Sequence, residues 1–429
     1  MNIYFLVSKG IKLMFFSCVA CMVLMSGILI AKDSVVAEIR VHAGSHNRFN
    51  TPVSIDMGHF APGLDQYSWE IYERTSKGRV PKPAQMEEGR YYRLWWILDS
   101  VTSAGSVRIF ELVRSEIRPK KSPPVIYNTD DGKQLHLQYA DRTVLAYQHA
   151  IHPAPEGASG LYARSAYIHP LYSPAGAVLT RINPPDHLHH MGLWNPWTKT
   201  EFESRAIDFW NLKLGQGTIR FNSFVSTISG DVFGGFTALQ DHVDLLAPGG
   251  EKTALRELLE VRVWNIGESA WLVDYCTTLN CATDQPFLIK EYRYQGFGFR
   301  ATEVWNDKNC RLITSQNKDK SNANATRARW CDVGGPTETG NSGIVFMTHP
   351  TNYNFPEQLR IWPVGANNGE ENVFFNFNPT QDRDWLLKPG KTYTLRYRMF
   401  IYDGMTDGEI PERLWNEFAH PPVVEVNDL

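Results

Sequence analysis

The residues best suited to chemistry lie in one short run, Pro184-Pro185-Asp186-His187-Leu188-His189-His190-Met191-Gly192. Three of the 13 histidines and one carboxylate occupy five consecutive positions. Imidazole exchanges protons near neutral pH and ligates metals, so the run could supply a general acid or base, or hold a divalent metal. The flanking prolines and glycine predict a loop or short strand, with His187 and His189 on one face and His190 on the other. A structural histidine that bonds backbone carbonyls is the alternative.

Aromatic and acidic residues follow the histidines at Trp194, Asp208 and Trp210. Aromatic rings stack on the apolar faces of sugars, and carboxylates accept hydrogen bonds from sugar hydroxyls. These residues therefore suit a saccharide site. The same rings also suit the core of a β-sandwich, which is the competing interpretation.

A third cluster runs from Lys290 to Arg300 and alternates tyrosine with arginine at Tyr292 and Arg293. Arginine can clamp a carboxylate with two parallel hydrogen bonds, so Arg293 or Arg300 would suit a uronic acid. An ordinary exposed strand would show the same charge alternation. Further along the chain, His349 and Asn352 form a second polar pair beside a proline.

These patterns assign roles. The predicted catalytic residues are His187, His189, His190, Asp208 and Tyr292. The predicted substrate-binding residues are Asp186, Trp194, Trp210, Arg293, Arg300, His349 and Asn352. In an elimination, His189 or His187 would be the base, Tyr292 the acid, and Arg293 or Arg300 the carboxylate clamp. In a hydrolase, Asp186 and Asp208 would be the paired carboxylates.

Composition excludes several function classes. The 429 residues carry 43 Lys and Arg against 46 Asp and Glu, a net charge of -3 that predicts no nucleic-acid partner. Hydrophobic residues make up 43%, which excludes disorder and a polytopic membrane protein. No GxSxG, HExxH, Walker A or helix-opening GxGxxG motif is present, and no cofactor is required by the sequence.

The amino-terminal residues predict export. Lys9 and Lys12 precede an apolar run over residues 13–31, which is typical of a signal peptide, here residues 1–37 with a cut near Ala37. An uncleaved anchor is the alternative, since the run is about as long as a membrane span. We expect a periplasmic or secreted protein with no stable membrane span after cleavage.

The number of cysteines is also consistent with export. Cys276, Cys281, Cys310 and Cys331 remain after the signal peptide, and an even number suits an oxidising compartment. Cys310 and Cys331 flank a polar loop, so we expect them to be close and able to form a bridge. Buried free thiols are the alternative.

The elements that must position these residues are mostly strands. Residues 393–402 alternate apolar and polar side chains, residues 219–228 do likewise, and residues 260–266 and 271–279 predict a hairpin. Residues 410–418 predict a short helix. The predicted fold is all-β: a large antiparallel β-sandwich over 131–429, a smaller N-terminal β-rich region over 38–130, and a short C-terminal helix.

Several motifs, taken in order, resemble one family. The resemblance is to the PmoA-like family of exported bacterial proteins and extends over residues 136–420. The segments that resemble it are Tyr167 to Gly176, Pro185 to His190, Asp208-Phe209-Trp210, and Tyr292 to Arg300. The resemblance implies a large β-sandwich encoded beside saccharide-degrading genes, without an established mechanism. The chain departs from that pattern at Met191, where relatives have arginine, and at Gln295, where they have glycine.

The sequence thus favours an exported enzyme acting on an oligosaccharide, which could contain uronate, by elimination or dehydration or by hydrolysis. The alternative is a non-catalytic glycan-binding or scaffold protein. A copper monooxygenase would require a mature N-terminal histidine, whereas the predicted cut leaves Glu38.

Overall fold

The computed structural model describes residues 34–60, 64–89, 92–116, 122–366 and 373–429. Most of the predicted signal peptide lies outside these residues. Its last four residues, 34–37, belong to the first strand, in which Ala37 is fully buried. Among the described residues, no helix has the length and apolar character needed to cross a membrane.

The first seven strands form a small unit with its own core. They are β1 (Ser34–His42), β2 (Arg48–Asp56), β3 (Ser68–Thr75), β4 (Gly78–Lys82), β5 (Ala84–Glu87), β6 (Arg93–Thr102) and β7 (Val107–Ser115). Apolar side chains such as Ile39, Ile71, Trp96 and Phe110 alternate along them and fill one cluster.

The following strands form the larger part of the molecule. They are β8 (Ile126–Asp130), β9 (Gln134–Tyr139), β10 (Arg142–Gln148), β11 (Tyr167–Leu171), β12 (Leu193–Trp194), β13 (Thr200–Phe202), β14 (Arg205–Ile207), β15 (Gly217–Ile228), β16 (Phe233–Asp244), β17 (Lys252–Trp264), β18 (Ala270–Cys281), β19 (Phe287–Ile289), β20 (Phe297–Arg300), β21 (Arg311–Thr314), β22 (Trp330–Thr337), β23 (Gly340–Thr348), β24 (Gln358–Ile361), β25 (Phe374–Asn378), β26 (Trp385–Leu387) and β27 (Tyr393–Asp403). A helix, α1 (Glu409–Ala419), and a last strand, β28 (Val423–Asp428), complete the described chain.

Two eight-stranded antiparallel sheets make the sandwich. The sheet that we call the site sheet has the order β24-β25-β20-β12-β11-β10-β9-β8, and the back sheet has the order β15-β16-β17-β18-β27-β23-β22-β21. One apolar core joins them, with Ile168 and Phe299 from the site sheet and Val261 and Met399 from the back sheet. The predicted all-β sandwich is confirmed.

Local predictions agree with these elements because their side-chain periods are clear. Leu395, Tyr397, Met399 and Ile401 of β27 are buried on one face, as the alternation predicts. β17 and β18 pair antiparallel as the predicted hairpin. The predicted helix forms as α1, and its Leu414 packs with the outer face of the back sheet.

The boundary between the two units differs from the predicted one. β8, which falls before residue 131, pairs with β9 and so belongs to the site sheet. In the opposite direction, β28 pairs with β1 and joins the sheet β28-β1-β7-β3-β4 of the N-terminal unit. The small unit is therefore built from both ends of the described chain.

The predicted cysteine bridge is absent. All four cysteines within residues 122–366 are free. Thr314 lies opposite Cys331, and Arg311 lies opposite Gly334, so Cys310 sits beyond reach of its predicted partner along the strand pair.

Candidate active site

The candidate site lies on the outer face of the site sheet. Along β11, β12 and β20, side chains alternate between the two faces. Ile168, Leu193 and Phe299 enter the sandwich core. Their neighbours Tyr167 and Trp194 join a separate apolar cluster on the outer face. The histidine run covers this cluster.

The histidine run folds as consecutive turns, not as an extended strand. His187 N donates to Pro184 O at 2.9 Å, and His190 N donates to His187 O at 2.9 Å. Gly192 then has φ +68°, and a Cβ there would lie 2.4 Å from the carbonyl oxygen of Ile168, so only glycine fits. The predicted alternation of His187 and His190 is wrong because the backbone turns between them.

The turns bring the three imidazoles into contact. The ring centroid of His187 lies 4.8 Å from that of His190 and 5.5 Å from that of His189. Trp362 lies 4.7 Å from His187 and also stacks beneath the guanidinium of Arg300 at 4.8 Å. Trp362 is 175 residues from His187, which is why the sequence did not reveal it.

A chain of charged groups orients His187. One guanidinium nitrogen of Arg300 donates to both carboxylate oxygens of Asp186, at 2.8 and 2.9 Å. Nδ1 of His187 lies 2.9 Å from Oδ2 of Asp186. Burial raises the pKa of Asp186, but the bond from His187 and the charge of Arg300 outweigh it and lower that pKa to about 2. Because an ionised carboxylate only accepts, Nδ1 of His187 carries a proton, and in the neutral tautomer with this bond Nε2 carries the lone pair.

The other two histidines are held neutral. Burial, and then the charges of His187 and Arg164, lower the pKa of His189 to about 3. Burial and the neighbouring His189 lower the pKa of His190 well below its usual value. Nδ1 of His190 also faces a guanidinium nitrogen of Arg300 at 3.4 Å. Among the three histidines of the run, His187 is the one that combines solvent access, at 28% exposure of its side chain, with a carboxylate partner.

Asp208 has a local role. Its Oδ1 accepts hydrogen bonds from the backbone N–H groups of Trp210 and Asn211, at 2.7 and 2.8 Å, and its Oδ2 accepts from Asn211 Nδ2 at 2.7 Å. Burial raises the pKa of Asp208 despite these bonds. The same Asn211 amide donates to the hydroxyl of Tyr294 at 3.1 Å. Asp208 thus fixes its own turn and, through Asn211, positions Tyr294.

The predicted acid, Tyr292, lies beside this turn. Its ring is 5.0 Å from that of Tyr294, whose ring is 5.3 Å from that of Trp210. Burial, opposed by the bond from Asn211 and helped by Tyr292, raises the pKa of Tyr294 to about 12. Trp210 in turn lies 6.1 Å from His190. The tyrosine pair and the histidines therefore flank the same indole.

Several predicted ligand-binding residues do not line the site. Trp194 and Trp210 are each 1% exposed, so they lie beneath the site and present no face for a sugar. Arg300 is buried and bound to Asp186, which removes it as a free clamp. Arg293 is exposed and lies 5.4 Å from the ring centre of Tyr294.

His349 and Asn352 lie on the other side of the sandwich, so their predicted roles at this site are wrong. The ring of His349 contacts Phe418 of α1 at 5.0 Å. Phe418 lines a cavity of about 730 Å³ between the back sheet and the N-terminal unit. Asn352 is buried and donates to Glu357 at 3.2 Å and to the carbonyl of Arg396 at 2.9 Å. Proline neighbours gave no information on which sheet these residues face.

The described residues do not form a metal centre. Within the parts of the chain that the structure describes, no group of three or more His, Cys, Asp or Glu side chains is arranged to hold a metal ion. The histidines meet ring to ring, and Asp186 is bound to Arg300 and His187, so their donor atoms do not converge.

Comparison with known proteins identifies a family. A family model described as "Family of unknown function (DUF6807)" matches residues 134–416. This match corrects the resemblance to the PmoA-like family, which the comparisons do not support. No curated protein matches the chain by sequence.

The chain also matches solved structures, all at low similarity. A polysaccharide lyase matches 67% of this chain at 10% identity with a TM-score of 0.27, and the match spans only 34% of the lyase. A GalM/aldose epimerase homologue from C. elegans matches 65% of this chain and 99% of its own length, at 8% identity and a TM-score of 0.30. At these scores the similarity carries no functional argument.

Proposed function

Because the chain belongs to the DUF6807 family, whose function is unknown, we propose a function from its own residues: an exported enzyme that transfers a proton on a saccharide substrate, with His187 as the base. The supporting observation is the chain Arg300–Asp186–His187, which leaves Nε2 of His187 with a lone pair at a partly exposed position. When Nε2 accepts a proton, the Asp186 carboxylate stabilises the imidazolium that forms. Arg300 keeps that carboxylate in place.

Proton transfer explains the site better than hydrolysis. A glycosidase of the two-carboxylate type needs one carboxyl group free to donate a proton and another free to attack or activate water. Asp186 is bound to Arg300 and His187, and both oxygens of Asp208 accept hydrogen bonds from its own turn. Neither carboxylate is therefore available for these roles.

Tyr292 is the proposed acid. In an elimination, His187 takes the proton from the carbon beside a carboxylate or carbonyl, and the leaving oxygen needs a proton from another group. Tyr292 is half-buried and adjoins Tyr294, whose hydroxyl is fixed by Asn211. This arrangement fixes the phenol of Tyr292 against Tyr294, whose ring contacts Trp210, the indole that also contacts His190.

A purely glycan-binding protein fits less well. Such a site requires exposed rings that stack on sugars. Trp194, Trp210 and Trp362 are all 5% exposed or less, whereas the partly exposed groups of the site are the His187 imidazole and the Tyr292 phenol. The glycan-binding alternative also gives no role to an oriented imidazole.

The proposal is tested by a substrate screen followed by one matched pair of variants. The purified protein is incubated with acidic and neutral polysaccharides, and unsaturated products and new reducing ends are measured. On the substrate found, His187→Gln should lower kcat by roughly a hundredfold or more, the usual contribution of a positioned acid or base. The melting temperature should change little, because the glutamine amide can still donate to Asp186 and Arg300 stays bound to that carboxylate.

The control is His136→Gln. His136 has a side chain that is 26% exposed, with Nε2 3.3 Å from Asp131, so it matches His187 in exposure and partner but lies on the β9 strand away from the site. This control should retain full activity. Activity of His187→Gln within tenfold of the unmodified protein would refute the assignment of His187 as the base.

A further inference from the structure

Arg164 is a buried arginine that lies just before β11 in the sequence. Its side chain is 2% exposed, and none of its three guanidinium nitrogens has a hydrogen-bond acceptor among the described residues. A guanidinium has five N–H donors and stays charged in proteins, so burial without an acceptor is unfavourable. Its backbone is fixed by mutual hydrogen bonds with His152, at 2.8 and 3.0 Å, so the side-chain position is not arbitrary.

The nearest described carboxylate does not satisfy Arg164. The charge of Glu257 acts on Arg164, but its oxygens already accept from Thr277 at 2.5 Å, from Asn195 at 3.2 Å and from Nε2 of His242 at 2.8 Å. Glu257 therefore compensates the charge from a distance and leaves the guanidinium donors unused.

Tyr167, three residues beyond Arg164 in the sequence, is also an unused donor. The hydroxyl of Tyr167 is buried without a hydrogen-bond partner among the described residues. Burial raises the pKa of Tyr167, and the charge of Arg164 opposes that shift. The indole N–H groups of Trp194 and Trp210, which pack with Tyr167 in the outer cluster, are buried without partners as well. Arg164 and Tyr167 thus offer N–H and O–H groups that lack acceptors among the described residues. Such a set fits an anion rather than a cation or a neutral hydroxyl.

This donor set adjoins the proposed active site. The charge of Arg164 is among the causes that lower the pKa of His189, whose ring is 5.5 Å from that of His187. The short 3-10 turns Gly160–Tyr162 and Leu212–Leu214, which flank Arg164 and Trp210, contact each other. An anionic group held by Arg164 would therefore lie on the side of the site where His189 adjoins the proposed base.

We propose that Arg164, with Tyr167, binds the carboxylate of an acidic saccharide, so that the substrate class is a uronate. This inference rests on the proposed function. The bidentate geometry of guanidinium matches a carboxylate, and neutralising that carboxylate acidifies the proton on the adjacent carbon. In the reaction, the C5 proton passes to Nε2 of His187, its electron pair forms the C4–C5 double bond, the C4–O bond breaks, and the departing oxygen takes the proton of Tyr292.

The test compares matched sugars that differ only in the carboxylate. Binding of D-glucuronate and D-galacturonate, and of D-glucose and D-galactose, is measured by isothermal titration calorimetry with tryptophan fluorescence as a second readout. The unmodified protein should bind a uronate at least about tenfold more tightly than its neutral counterpart, a difference of about 1.4 kcal/mol. Arg164→Met should lose this preference, and Arg164→Lys, which keeps the charge but not the fork, should retain part of it.

The control is Arg293→Met, which removes an exposed arginine near the same tyrosines and should keep the preference. The inference is overturned if the unmodified protein binds no uronate more tightly than the neutral sugar, or if Arg164→Met keeps the preference. His187→Gln separates the two proposals. Uronate binding that persists in this variant supports the role of Arg164 even if turnover is unaffected and the assignment of His187 fails.

Discussion

Replacing Arg164 by methionine should stabilise the protein in the absence of ligand. Burial lowers the pKa of Arg164 from 12.5 to about 10, against the favourable charges of Tyr167 and Glu257. A difference of one in pKa corresponds to about 1.4 kcal/mol, so the ionised guanidinium destabilises the folded protein by roughly 3 kcal/mol. Methionine keeps most of the apolar stem and removes the charge. We expect a gain of about 1 to 3 kcal/mol in the free energy of unfolding.

The sign of this effect depends on pH in a defined way. A basic group whose pKa is lower in the folded state destabilises that state fully below the folded pKa, and the penalty disappears as pH rises through the unfolded value. At pH 7 the whole penalty therefore applies. Urea denaturation at pH 7, followed by tryptophan fluorescence, should show a higher midpoint for Arg164→Met with an unchanged slope.

A second buried arginine supplies the control. Arg398 is 9% exposed and donates two hydrogen bonds to Asp274, at 2.5 and 2.8 Å. Arg398→Met should destabilise the protein by about 3 kcal/mol, because it leaves the Asp274 carboxylate without a cation and, among the described residues, bonded only to the indole N–H of Trp264. If Arg164→Met is destabilising to a similar degree, the guanidinium of Arg164 is already satisfied in the free protein. The idea of a vacant anion site would then be wrong.

Three further predictions concern carboxylates. Burial raises the pKa of Asp186, but His187 and Arg300 outweigh burial and lower that pKa to about 2, so the ionised carboxylate stabilises the fold fully above pH 3.8. Acid denaturation should show that the free energy of unfolding falls by about 2 kcal/mol as pH falls through 2, and Asp186→Asn should lack this loss. Burial raises the pKa of Glu357 to about 7 despite hydrogen bonds from Thr348 and Tyr397, so the free energy of unfolding should fall by about 3 kcal/mol as pH rises from 4.5 to 7. Urea denaturation at several pH values should show this pH dependence in the unmodified protein and not in Glu357→Gln. Asp208→Asn should lower kcat less than about tenfold because Asp208 fixes a turn, whereas a loss of a hundredfold or more would favour a direct catalytic role.

The strands were predictable because their signals are local. The alternation in β27, the hairpin of β17 and β18, and the four-residue spacing in α1 each depend on neighbours within about a dozen residues. The strand β28 was not predictable as part of the N-terminal unit, since its partner β1 lies nearly 400 positions away in the sequence. Pairing between distant strands leaves no trace in a single sequence.

The site was predictable in composition but not in geometry. The histidine run and Asp186 do meet, but two tight turns rather than an extended backbone bring them together. Trp362, which contacts His187, carries no local motif, because only the folded sheet places it beside the histidines. His349 and Asn352 were misplaced for the converse reason: a suggestive local pattern does not reveal which sheet a residue faces.

The pairing of β28 with β1 also determines the order in which the molecule can be completed. During synthesis from the amino end, one edge of β1 can pair with β7 as soon as β7 has emerged. The other edge of β1 stays unpaired until residues 423–428 have been synthesised. The whole sandwich, residues 126–403, is synthesised in that interval. An unpaired strand edge attracts foreign strands, so the N-terminal unit is exposed to mispairing for as long as the rest of the chain is emerging. A recombinant fragment limited to the matched family region omits both strands of this pair, whereas one that ends shortly after α1 leaves β1 permanently open.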